Sequence, residues 1–345
     1  MTAPVLRRLD DASSTSSSAA AAAALTQLLG PGLDRVVEQL AATAVQRDRD
    51  GGHAAEQREL IRASGLLALT IPEAHGGLGG GVPEFFEVVR RIARVDSALA
   101  HVLAFHHLQL YGVALYGGPA ATAHGARHLR ETAEQRLFWG NALNPADTRL
   151  TAVRDGAGWR LDGLKSFCSG SLGSDRLTVS ATTGEGGFLI GIVPTRREGV
   201  RVEQDWDAFG QRQTDSGTVR FDAVRLDDDE LLQVPGQSPT PRATLRSQIA
   251  QLIMTHLYLG IGEGAFDEAR RYTAARGRAW SASGVEVSSQ LFELTGARST
   301  SAEFGLDRFW RNARVHTLHD PVDYKLRDLG CFFLDDRIPD PTAYS

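Results

Sequence analysis

The feature that most constrains this chain is a double switch in the period of its apolar residues. From residue 21 to about 136 they recur at helical spacing: Leu33, Val36, Val37 and Leu40, then Leu60, Ile61, Leu66 and Leu67, then Phe85, Phe86, Val89, Ile92 and Val95. Between about 137 and 234 the period falls to two, in short runs at 158–163, 176–181, 187–193 and 217–221 bounded by Gly, Asp and Pro. After the linker Pro235-Gly236-Gln237-Ser238-Pro239, helical spacing returns through Ile249, Leu252, Ile253, Leu257, Ile261, Ala265 and Ala269. Further helices are expected from about Val287, Asp307 and Val322. Helices, then strands, then helices, with no βαβ alternation, make an α+β fold of three units at 21–136, 137–234 and 235–345. The middle unit is expected to be an antiparallel β-domain, and the Ser/Ala-rich residues 1–20 a disordered tail.

Two glycine clusters punctuate this order. Gly76-Gly77-Leu78-Gly79-Gly80-Gly81, between Pro72 and Pro83, reads as a loop between helices. Gly260-Ile261-Gly262-Glu263-Gly264 lies inside a helical run rather than after a strand. It is therefore not a dinucleotide fingerprint, and is expected to let another helix approach closely.

A length of 345 residues exceeds what one core usually fills, so a buried active site between units is feasible. The formal net charge of -5 gives no basis for nucleic-acid binding. Two cysteines, Cys168 and Cys331, make neither a disulfide framework nor a zinc site, which fits the cytosol. No continuous apolar run reaches the roughly 18 residues of a spanning helix, and the N-terminus does not read as a secretory signal, so no membrane association is expected.

Three stretches stand out at their places in the three-part order: Asp205-Trp206-Asp207-Ala208-Phe209-Gly210-Gln211-Arg212-Gln213-Thr214, Phe304-Gly305-Leu306-Asp307-Arg308-Phe309-Trp310-Arg311-Asn312, and His316-Thr317-Leu318-His319-Asp320-Pro321. With them the chain resembles the acyl-CoA dehydrogenase superfamily from about residue 60 to 345. The nearer likeness is to the dibenzothiophene-monooxygenase-like branch, two-component oxygenases that use O2 and reduced FMN supplied by a separate NAD(P)H:flavin reductase. The dehydrogenases carry a Tyr-Glu-Gly-Thr turn whose Glu removes the α-proton of an acyl thioester. Here His319-Asp320-Pro321-Val322 occupies that turn, and Asp320 is one methylene short beside an imidazole. The resemblance therefore implies oxygenation of a small apolar substrate at sulfur or nitrogen. The alternatives are an FAD-dependent acyl-CoA dehydrogenase with Asp320 as base, and a non-catalytic member of the fold.

The resemblance also implies a site. His319 would lie at the flavin ring, handling protons at neutral pH and oriented by Asp320 or His316; His101 would line the substrate pocket facing it, although a lone histidine on an apolar helix face also reads as a satisfied core residue. The plainer reading of His316 and Asp320 is a helix-end cap paired with Arg314 or Arg327. Phe105, one turn after His101, falls near the flavin, while His106 and His107 look like surface or rim residues. Asn141, Ala142 and Asn144 belong to the flavin-facing strand and loop, although Asn144-Pro145 also reads as a turn. Phe167, Cys168 and Ser169 belong to a second flavin strand, with Ser169 on a ring carbonyl or the phosphate-side chain and Cys168 a packed thiol. Arg278, and Arg298 beside Ala297, are the phosphate candidates. The family's bundle has roughly one and a half more helices than this chain, which runs abruptly from one into another near 286–287. A shortened bundle would expose Leu252, Ile253, Leu257 and Leu291, and this favours a homo-oligomer, tetramer or dimer.

Overall fold

Asp96 begins the central helix of the protein: its carboxylate accepts the Leu99 N–H at 3.0 Å, an N-cap. In the computed structural model, which describes residues 15–116, 119–184, 187–236, 241–276, 284–295 and 297–316, this helix is the fifth of the first unit. The unit comprises α1 (Thr15–Gln27), α2 (Leu33–Asp50), α3 (Ala55–Ser64), α4 (Val82–Ala93), α5 (Ser97–Leu115) and α6 (Pro119–Gln135). α4 starts directly after the glycine cluster with Pro83 in its first turn, where the missing N–H has no helical partner to lose. α5 passes as a membrane span by length and a mean hydropathy of 1.3, but 89% of it is buried inside the protein, so it serves as a core helix. Helix α1 begins at Thr15, inside the stretch 1–20 expected to be a disordered tail.

The middle unit is one eight-stranded sheet. Its strands are β1 (Trp139–Ala142), β2 (Thr151–Asp155), β3 (Gly158–Lys165), β4 (Arg176–Thr183), β5 (Phe188–Pro194), β6 (Val200–Val202), β7 (Val219–Asp227) and β8 (Leu231–Gln233). The order is β6-β7-β3-β2-β4-β5-β8, with β1 paired to β4. The sheet is mixed rather than antiparallel throughout, because β4 runs parallel to both β1 and β2. The β2–β3 hairpin folds toward β7, leaving the other edge of β2 to meet β4 in the same direction. One face packs Leu177, Val179 and Ala181 against Leu161, Val224 and Leu226. The opposite face carries Ile190 and Ile192 onto Leu110 and Val113 of α5, so sheet and helices share a core.

The last unit has α7 (Leu245–Arg276), α8 (Gly284–Thr295) and α9 (Asp307–His316). The helical glycines bring α7 onto α4, as expected. A Cβ at Gly260 would sit 2.4 Å from the Arg90 carbonyl oxygen, and one at Gly264 would sit 2.0 Å from that of Arg94. The apolar exposure expected of a shortened bundle is only partly found. Ile253 and Leu257 are fully buried against the first unit, and Leu291 is buried with Ile261 and Phe309, since α7 turns those residues inward. Leu252 is 45% exposed. It belongs to a stripe at seven-residue spacing, Leu245, Leu252, Leu259 and Phe266, in which each residue is 39–46% exposed.

Candidate active site

His101 and Phe105 lie one turn apart on α5, and their rings stack with centroids 4.1 Å apart. His316, the last residue of α9, meets His101 edge to face at 5.2 Å. Its Nδ1 lies 3.3 Å from Met254 Sδ, and the Tyr258 ring stands perpendicular to it at 5.6 Å. Three helices thus meet at one aromatic cluster. His316 is only 3% exposed, so it is part of this cluster and not a solvent-facing helix cap.

One turn before each histidine a polar clasp fixes the two helices. Asn312 Nδ2 donates to Ser97 Oγ at 2.7 Å, the Gln211 N–H donates to Asn312 Oδ1 at 2.8 Å, and Gln211 Nε2 donates to Ser97 Oγ at 3.3 Å. The segments at 205–214 and 304–312, separate in the chain, therefore meet. A cleft lined by Arg47, Asp96, Ser97, Arg212, Gln213 and Asn312 opens between α2, the start of α5, the 205–214 segment and α9. Neither Ser97 nor the contact between Gln211 and Asn312 was legible in the sequence, because the three segments are over a hundred residues apart and polar residues carry no periodic signal.

The strand residues form a second group. In β1, Ala142 is buried, the Asn141 N–H donates to the Ser169 carbonyl at 2.9 Å, and Asn141 Oδ1 accepts from the Leu143 N–H. Asn144 forms the turn: its Oδ1 accepts from the Ala146 N–H, and its carbonyl accepts from Lys165 Nζ at 2.8 Å. The Cys168 thiol is fully buried and donates to the Lys165 carbonyl. Burial pushes its pKa up to about 12, so it is a packed thiol, as expected. Phe167 sits at φ +58°, uncommon for a bulky residue, and is 65% exposed, with its ring edge toward Trp206. This strained backbone holds an aromatic face in solvent, a surface that fits a planar ring. His319, Asp320 and Arg278 lie outside the described residues. Ala297 opens a short 3-10 turn, Ala297–Thr300, but its side chain and that of Arg298 are likewise outside them.

Arg58 of α3 secures this strand region from below. Its Nη1 donates to Asp215 at 3.1 Å and its Nη2 to the Gly170 carbonyl at 3.0 Å, and its guanidinium stacks 4.3 Å from the Phe138 ring centroid. His106 and His107 are not rim residues: both are fully buried, because α5 is enclosed on every side. Nδ1 of His106 accepts the Trp139 N–H at 3.1 Å, so Nε2 carries the proton donated to the Leu67 carbonyl. His107 contacts the Leu66 carbonyl and Thr70 Oγ1. Burial, the largest cause, lowers the pKa of His106 to about 4 and that of His107 well below the usual imidazole value. They serve as uncharged struts behind the site.

With this geometry, the family models for the acyl-CoA dehydrogenase N-terminal, middle and C-terminal domains match residues 33–125, 140–224 and 264–324. A probable FMNH2-dependent monooxygenase, SfnC, of Pseudomonas putida is 40% identical, over 89% of this chain and 95% of that protein. That alignment is 378 positions long yet takes in about 307 of the 345 residues here (89%), so about 70 positions of the relative face no residue of this chain. The structure of methanesulfinate monooxygenase MsuC from Pseudomonas fluorescens superposes with a TM-score of 0.86 at 40% identity, covering 91% of this chain and 98% of that one. FMN-bound TdsC from Paenibacillus sp. A11-2 superposes with a TM-score of 0.83 at 34% identity, covering 94% and 100%. The chain belongs to the acyl-CoA dehydrogenase family, within its branch of flavin-dependent monooxygenases that work with reduced FMN.

Proposed function

We propose that this protein oxygenates a small sulfur compound, taking reduced FMN from a separate NAD(P)H:flavin reductase and O2 as the oxidant. The observation that carries this reading is the His101–His316 pair, edge to face at 5.2 Å and packed against Phe105, Met254 and Tyr258. Bound reduced FMN would supply the electrons that activate O2. The protein's own part would be to exclude water, to hold the ring with Phe167, Asn141 and Ser169, and to move a proton at an imidazole nitrogen. His101 and His319 are the candidates for that proton, with His316 and Asp320 as orienting groups, and Arg278 and Arg298 as phosphate ligands. The relatives' names point to sulfur as the oxygenated atom. The buried free thiol of Cys168 accords with a reducing cytosol.

The test is to mix the protein with FMN, NADH, a generic flavin reductase and O2, offer a sulfide, a sulfinate or a sulfone, and follow oxygenated product by mass spectrometry. His101→Ala and His319→Ala should each lower turnover by about 10²-fold or more, the usual contribution of a positioned acid–base group. Absence of product from the wild type with every sulfur class would overturn the assignment.

The C-terminal bundle is, on the same reading, shorter than in relatives, supported by the roughly 70 unmatched positions. A second copy of the chain is the occupant proposed for the Leu245–Phe266 stripe, because the exposed residues of α7 over that span are all uncharged. Sedimentation should then give a dimer or tetramer, and Leu252→Glu with Leu259→Glu should give monomers. A monomeric wild type removes this part of the proposal.

A further inference from the structure

Two arginines line the cleft beside the Ser97–Gln211–Asn312 clasp without a carboxylate partner among the described residues. Arg308, in the first turn of α9, is 9% exposed. Its Nη1 donates to the Gly305 carbonyl at 3.3 Å, and its guanidinium packs 4.2 Å from the Phe309 ring centroid. Arg212 comes from the 205–214 segment, and its Nε is cut off from water with no acceptor. The acids nearby are already engaged. Asp96 pairs with Arg47 at 2.5 Å and Asp48 pairs with Arg311. Arg212 also lines a neighbouring hollow, whose acids Glu203 and Asp215 are held by Arg220 and Arg58. Glu268, whose charge reaches Arg308, pairs with Arg271. Burial lowers the Arg308 pKa, which reflects the cost of keeping that charge from water. Two such charges in one cleft cost free energy that a bound anion offsets.

We propose that this cleft binds a small oxyanion, a sulfate, sulfonate or sulfinate group, through the guanidiniums of Arg212 and Arg308. A guanidinium presents its donors as a planar fork, which matches a group with two or more oxygens on one atom. Asn312 adds a donor, because its Nδ2 spends only one of its two N–H groups on Ser97 Oγ. The site adjoins the imidazole pair. Ser97 and Asn312 line the cleft, and each precedes a histidine, His101 or His316, by four residues, about 6 Å along its helix. The oxyanion is either a free inorganic ion or the acid end of a substrate, and the second source rests on the oxygenase reading.

Isothermal titration calorimetry of the full chain tests the site, with sulfate, methanesulfonate and methanesulfinate as probes against chloride at matched ionic strength. One anion should bind per chain, with a dissociation constant of about 1 mM or below, as expected of a few charge-assisted hydrogen bonds. Arg308→Gln and Arg212→Gln should each weaken it roughly tenfold or more. Arg308→Lys keeps the charge but loses the fork, and should fall between. Urea unfolding controls for folding: without anion, Arg308→Gln should be no less stable than the wild type, since it removes a buried charge that has no partner. Arg212→Gln, at a half-buried position, is the independent second variant. Sulfate binding as tightly as the organic acids identifies a free inorganic ion as the occupant, and tighter binding of the organic acids identifies the acid end of a substrate. Saturating FMN should leave the isotherm unchanged. Displacement by FMN would assign the cleft to the flavin phosphate and overturn the proposal. So would the lack of saturable binding by any probe up to about 50 mM, or affinities in both glutamine variants equal to that of the wild type. Anion binding by a protein that oxygenates no sulfur compound leaves this site standing and removes only the oxygenase reading.

Discussion

Replacing Arg58 with Met should lower the unfolding free energy by about 3 to 5 kcal/mol, the cost of stranding one partner of a buried charge pair. Arg58 and Asp215 have side chains only 4% and 5% exposed, and their 3.1 Å contact is the main neutralising interaction of that carboxylate. His53, at 2.9 Å, is the second contact but is itself 23% exposed. The loss should also reach the site. Gly170, whose carbonyl Arg58 holds, follows Ser169, while Asp215 lies between Thr214 and Ser216. Chemical denaturation of the wild type, Arg58→Met and Arg58→Met with Asp215→Asn gives the check. The double variant should recover part of the loss, because the stranded charge is gone. A single-variant loss below about 1 kcal/mol would mean that the pair is effectively solvated.

Acid should destabilise the protein between pH 6.5 and about 4, beginning well above the range of carboxylate titration. His106 and His128 both have pKa values lowered to about 4, with burial the largest cause in each, against an ordinary value of 6.5. Below pH 6.5 the unfolded chain binds protons that the folded chain refuses, so stability falls as pH falls and levels off near pH 4. At 1.36 kcal/mol per pKa unit the full loss is about 3 kcal/mol for each histidine, of which about 2 kcal/mol is gone by pH 5. His107 acts in the same direction. Set against a typical total of 5 to 15 kcal/mol, this is a large fraction. Urea unfolding at pH 7.5 and pH 5 measures it, and His128→Gln should remove one histidine's share of the pH dependence. Equal stability at the two pH values would show that these imidazoles are not held neutral.

The unit order was legible because it rests on burial, and burial leaves a periodic trace in sequence. Leu33, Val36 and Leu40 mark one helix face, and Leu177, Val179 and Ala181 mark one sheet face. The stacked pair His101 and Phe105 was legible for the same reason, since residues four apart share a helical face. Family resemblance picked out the segments at 205–214 and 304–312, but not that Gln211 of one grips Asn312 of the other. The misreadings share a cause. His106 and His107 were expected at a surface or rim. α5 is buried on all sides, so both found carbonyl partners inside. Leu252 and Ile253 were expected to share a fate, yet one is 45% exposed and the other fully buried. Parallel pairing of β4 with β1 and β2 left no mark in the alternation, which reports faces and not strand directions.

The sequence by itself thus determined which residues must leave water, and with that the succession of helices, sheet and helices and the two faces that meet. Only the tertiary structure decided which polar groups face one another: the clasp of Ser97, Gln211 and Asn312, the Arg58–Asp215 pair, and the hydroxyl contacts of Thr214, Ser216 and Ser169. Apolar burial is additive and local in its pattern, whereas a hydrogen bond depends on the distance and orientation of two groups that the chain brings together from far apart.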